Sequence, residues 1–252
     1  MFSFPLFKQT VKSNSVMWGV MTLVMTLLCI QFAAMDMTKS MLFVIFYGMM
    51  TTILPGIYIL VTANKLVSSQ VDRGSMAYVL STPTKRSAVV FTQLIYLIGS
   101  LVAMFAVQTI GHIIVNNISP ISLAELGYPQ LAGDLTNTMI LQVNTSALMV
   151  CLAMAGVCFL FSGIFSSSKY SIGFSGTFIG VMVLANMLAM FGNLGVDGLD
   201  NFKYITIVSF YDYMSVLSGV DDWIVKMIYP AVIAVVSYMV GSMWFCQKDL
   251  PL

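Results

Sequence analysis

The chain has 252 residues, of which 59% are hydrophobic and 8% charged, against about 25% charged in an ordinary soluble domain. With a mean hydropathy of +0.93, the apolar surface is too large for an interior of this size to hide, so a water-soluble globular protein is excluded and lipid is the solvent for most of the chain. Eleven Lys and Arg against ten Asp and Glu leave a net charge of +1, which gives no reason to expect a nucleic-acid partner.

Residues 1–12 set Phe2, Phe4, Leu6, Phe7 and Val11 beside Lys8 and Lys12. This stretch is too short to span and suits an interfacial helix on the cytoplasmic surface. No small-residue cleavage site follows it, so it is expected to stay in the mature protein. A spanning helix takes about 20 apolar residues. Six stretches free of Asp, Glu, Lys and Arg qualify: 13–35, 40–64, 87–124, 135–168, 170–196 and 227–247. The third and fourth exceed a bilayer's thickness, so part of each belongs to a polar connection over 116–138, where Asn116, Asn117, Pro120, Pro129 and Gly133 end helices. Between the fifth and sixth spans, 193–226 carries an aromatic-rich patch from Phe202 to Leu217, broken by Lys203 and Asp212. It reads either as a short re-entrant segment covered by protein or as an interfacial helix lying flat. The fold class is all-α and polytopic, a single transmembrane domain over 1–252. Its long unbroken apolar runs lack the alternation of barrel strands.

Cations set the orientation. The N-terminus, 65–86, 166–169 and the C-terminus carry Lys8, Lys12, Lys65, Arg73, Lys85, Arg86, Lys169 and Lys248, whereas the opposite segments carry only Lys39, Lys203 and Lys226. The first set is therefore expected to be cytoplasmic, with both termini inside.

Motifs for soluble catalysis are missing. The sequence has no G-x-x-x-x-G-K-[ST] phosphate loop, no H-E-x-x-H and no G-x-S-x-G, and its one histidine, His112, is expected near the outer interface. Cys29, Cys151, Cys158 and Cys246 lie in apolar runs without a C-x-x-C pair and read as small apolar fillers. Neither an enzyme nor a metal or cofactor site is expected in this chain. Gln93, Gln108, Gln142, Asn144 and Asn186 are the amides within the spans, suited to hydrogen bonds between helices worth about 1 kcal/mol or less. The absence of mid-membrane Asp, Glu, Lys and Arg weakens a secondary carrier.

The loop Lys65–Arg86 reads KLVSSQVDRGSMAYVLSTPTKR. Gly74 interrupts, Ser75 can cap, and Met76, Ala77, Tyr78, Val79 and Leu80 form a short helix that Thr82 and Pro83 stop. Met76, Val79 and Leu80 share a face at i, i+3 and i+4, which has either a membrane to lie on or a partner protein to fit. In the fifth span, Gly176-x-x-x-Gly180 with Gly173 before it allows a helix to approach closely, from a second chain or from within this one.

Asp72-Arg73-Gly74-Ser75 followed by Leu80-Ser81-Thr82-Pro83 resembles the coupling loop of bacterial ABC exporter permeases of the type-2 class, and Lys248-Asp249-Leu250-Pro251-Leu252 is similar to how many of them end. Ser209-Phe210-Tyr211-Asp212 follows only loosely the Pro-Phe-x-Tyr pattern common in that family before the last span. The resemblance implies the permease subunit of an exporter in the bacterial cytoplasmic membrane. ATP and Mg would be bound by a separate cytoplasmic ATPase subunit. The permease would pair with a second copy or a paralogous permease across the first and fifth spans. Asp72, Arg73, Gly74, Ser75 and Pro83 would shape the coupling segment, with Met76, Tyr78, Val79 and Leu80 as its docking contacts. The 21 Met and 17 Phe suit a loosely specified hydrophobic or amphipathic cargo, such as a cytolytic or antimicrobial peptide, a drug or a lipid. A membrane sensor or immunity protein that binds without transporting is the alternative from another class.

Overall fold

The computed structural model describes residues 2–80, 85–128, 131, 133–193, 196 and 198–249. Helix α1 runs unbroken from Phe4 to Ala34, with Pro5 in its first turn, where a missing N–H costs nothing. The separate interfacial helix expected over 1–12 therefore becomes the first turns of the first span. Lys12, Ser13 and Asn14 carry no helix breaker, and at 1.5 Å per residue the helix is about 46 Å long, enough to reach through the headgroup layer.

A short turn, α2 (Asp36–Lys39), leads into the second span. That span opens as a π-helix, Leu42–Met50, and continues as α3, Thr51–Leu66. Pro55 lies inside α3 and cannot donate to the carbonyl of Thr51, which instead accepts the Cys151 thiol at 3.7 Å. After α4 (Ser68–Asp72) and α5 (Ser75–Leu80) come the third and fourth spans, α6 (Arg86–Ile118) and α7 (Asn137–Ile164). Asn116 closes the connection between them by donating to the Leu135 carbonyl at 2.8 Å. The fifth span is α8 (Ser168–Asn193). Two 3-10 turns, Leu199–Tyr204 and Ile207–Phe210, and α9 (Tyr213–Leu217) precede the sixth span, α10 (Asp222–Gln247). Among the described residues, six helices are thus long and apolar enough to cross a membrane.

Glycines set the closest packing. A Cβ on Gly163 would sit 2.6 Å from the Gly241 carbonyl oxygen, and one on Gly241 would sit 2.8 Å from the Leu160 Cα, so α7 and α10 meet backbone to backbone. The start of α1 and the end of α10 lie at one end of the bundle. Lys65 donates to the Ser13 carbonyl at 2.6 Å, Arg86 to that of Lys248 at 3.0 Å, and Lys248 to that of Gly163 at 2.9 Å. The eight-cation set therefore gathers at the end that carries α4 and α5.

Candidate functional site

The segment after the second span is held on three sides. Asn64 donates to the Ser168 hydroxyl at 2.8 Å, Lys65 reaches α1, and the Ser68 N–H donates to the Ser162 hydroxyl at 3.0 Å. Asp72 and Arg73 are exposed. Gly74 turns the chain at φ +71°, a conformation that strains any residue with a Cβ. Ser75 donates its hydroxyl back to the Gln70 carbonyl at 3.1 Å. In α5, Met76 is fully buried in the core, whereas Tyr78 is 81% exposed. Met76, expected among the docking contacts, therefore packs inward and anchors the helix. The side chains of Val79 and Leu80, and Pro83 altogether, lie outside the described residues. A cavity of about 590 Å³ separates this segment from the first turns of α1, lined by Pro5, Gln9, Ser13, Lys65, Arg73 and Tyr78.

A buried polar centre occupies the opposite half of the bundle. The π-helix presents the Tyr47 hydroxyl 2.6 Å from His112 Nδ1. Asn144 and Gln108 donate to the same oxygen at 3.0 and 3.5 Å, and Gln108 also donates to Cys29 Sγ at 3.1 Å. Because that oxygen accepts two amide donors, its own proton points to Nδ1, which places the neutral ring's proton on Nε2. His112 is fully buried six residues before the end of α6 at Ile118, so at that end of the span it faces Tyr47 inside the protein. Four of the five amides, Gln93, Gln108, Asn144 and Asn186, join helices as expected. Thr10 also donates to Gln93 at 3.2 Å, and Asn186 to the Gly48 carbonyl at 3.0 Å. Mid-helix π-geometry is frequent at functional sites, but Leu42–Met50 carries no sequence signal for it.

Residues 199–217 form no continuous helix. They descend beside α8, where Thr206 donates to the Met182 carbonyl at 2.8 Å, 11 residues, or about 16 Å, below the end of α8 at Asn193. Asp212 caps α9 by accepting from the Ser215 N–H at 3.1 Å, and it pairs with Lys226 at 2.5 Å. Burial would raise the Asp212 carboxyl, but the Lys226 ammonium and the Ser215 donors outweigh it and hold it below the usual carboxylate range.

In the fifth span, Gly173 and Gly180 have nothing within 4 Å of a Cβ, and Gly176 meets only the tip of Leu60 at 3.8 Å. Close backbone approach inside the chain is found instead at Gly163, Gly192 and Gly241. Among the described residues no three His, Cys, Asp or Glu side chains gather as a metal site. No family model matches the chain, and comparison with curated proteins finds no match.

Proposed function

We propose that this chain is the membrane-spanning subunit of an ATP-driven exporter of hydrophobic or amphipathic molecules, working as a dimer of six-span units above separate cytoplasmic ATPases. The observation that carries the reading is α5. It is a short helix at the cation-rich end, pinned by the buried Met76 and showing Tyr78 outward. The ATPase, with its ATP and Mg, would take Tyr78 and the outer side of the helix. A push there would pass through Met76 and the Ser68–Ser162 bond into α3 and α7. The π-turns at the far end of the same span give it a place to change register, with Tyr47 carrying the shift to His112, Gln108 and Asn144. The open face around Gly173 and Gly180 suits a second copy or a paralogue, and 199–217 serves as the re-entrant segment.

The test is reconstitution with a soluble chain carrying a phosphate-binding loop, sought among the neighbouring genes. ATPase activity that depends on this permease and rises with transported substrate supports the reading. A partner whose activity ignores the permease supports the non-transporting sensor instead.

A further inference from the structure

A cavity of about 770 Å³ opens beside the descending segment 199–217, between α8 and α10, within the roughly 300–1,000 Å³ typical of ligand sites. Three charged side chains line it: Lys203, Asp212 and Lys226. Asp212 and Lys226 neutralise each other, while Lys203 forms no ion pair among the described residues and rests over the Tyr204 ring at 5.2 Å. Among the described residues the lining therefore keeps one positive charge outside an ion pair. Of the acids nearby in sequence, Asp200, Asp221 and Asp222 are exposed and do not line the cavity, and Asp197 lies outside the described residues. The wall between the charges is apolar and aromatic. Phe210 stacks on Tyr229 at 5.0 Å between ring centroids, with Met190 and Ile207 alongside.

We infer that this cavity binds an anionic amphiphile, its phosphate or carboxylate held by Lys203 and Lys226 and its apolar body lying on Phe210 and Tyr229. Asp212 competes with the ligand for Lys226. The two substitutions Lys203→Gln and Asp212→Asn therefore act in opposite directions. Asn caps a helix as well as Asp, so Asp212→Asn keeps the start of α9 while releasing Lys226. The ligand can come from the outer leaflet as a phospholipid or from solution as a single-chain anion. Binding needs only this chain and does not rest on the exporter reading.

The experiment uses the purified full chain. In one arm, native mass spectrometry reads the lipids retained from mixed vesicles of phosphatidylglycerol and phosphatidylcholine. In the other, dodecyl phosphate and inorganic phosphate are titrated and heats of binding are measured. The wild type is expected to favour phosphatidylglycerol or dodecyl phosphate. Lys203→Gln should weaken that binding about fivefold and Asp212→Asn should strengthen it about threefold, as fits partly exposed charge pairs. Because misfolding does not produce a gain, the Asp212→Asn arm guards against an unfolded variant. Preference for phosphatidylglycerol without dodecyl phosphate binding identifies a leaflet lipid, and the reverse identifies a soluble amphiphile. Equal retention by the wild type and both variants overturns the site, and inorganic phosphate binding as tightly as dodecyl phosphate overturns the amphiphile.

Discussion

The Tyr47 hydroxyl bonds His112 Nδ1 at 2.6 Å, joining the π-helical start of the second span to the C-terminal part of the third. Both side chains are fully buried, and Asn144 and Gln108 turn their amides to the same oxygen. Removing that oxygen strands three polar groups where no water competes to satisfy them. Tyr47→Phe is expected to cost about 1–3 kcal/mol, read as a lower midpoint of thermal unfolding in detergent. In a double-mutant cycle with His112→Phe, the pair should lose less than the sum of the single changes by at least about 0.5 kcal/mol. Strict additivity would show that the bond contributes nothing.

Glycine substitutions should separate two faces. Gly163→Ala drives a Cβ against the Gly241 carbonyl, and backbone cannot yield as a flexible side chain does, so a loss of about 1–3 kcal/mol is expected. Gly173→Ala meets nothing and should stay within about 0.5 kcal/mol of the wild type. Gly173→Leu with Gly180→Leu should then shift the chain from dimer to monomer in light scattering while its helicity persists. An intact dimer in that variant would place the dimer contact elsewhere.

Much of this architecture is legible in the sequence, because lipid demands unbroken apolar length and the six charge-free stretches answer that demand. The short helix at Ser75–Leu80 follows from Gly74 and the apolar run after it. Packing partners do not follow in the same way. The Gly176 and Gly180 spacing is the more familiar small-residue pattern, yet the backbone contact uses Gly163 and Gly241, which are 78 residues apart and linked only by the fold. The π-helix leaves no mark because its i to i+5 bonds use the same apolar residues as an α-helix would. The partner of His112 is hidden in the same way, because sequence spacing does not show that Tyr47 faces it. Lys203 and the Asp212–Lys226 pair are visible as charges, but not as the wall of one cavity.

The Asp212 pair carries a pH signature. Its carboxyl lies below the ordinary 3.8 in the folded chain, so the carboxylate's stabilisation is complete above that value and is lost as pH falls through the lower folded value. The difference in unfolding midpoint between the wild type and Asp212→Asn should be constant from about pH 8 to pH 5 and close below about pH 4. A difference that widens on acidification would contradict the pairing with Lys226.

Orientation is tested by cysteine labelling in a background with the four native cysteines replaced. Asp72 and Asp134 are both exposed and sit in the loops expected to face opposite sides. With Asp134→Cys, an impermeant maleimide should label intact cells. With Asp72→Cys, it should label only after permeabilisation. Labelling of the Asp72 position from outside would invert the topology and remove α5 from the side where ATP is found.

The exporter reading depends on α5 touching a separate ATPase through its exposed side. The most direct measurement is co-purification of that ATPase with the wild type and with Tyr78→Asp, each matched for inserted permease. Tyr78 is exposed in the isolated chain, so a carboxylate there meets water, whereas burial against a partner would leave the charge unpaired at a cost of several kcal/mol. The account expects the wild type to retain the ATPase and Tyr78→Asp to lose at least about nine-tenths of it. Retention of the ATPase by Tyr78→Asp at the wild-type ratio would contradict the claim and leave α5 as a helix resting on the membrane surface.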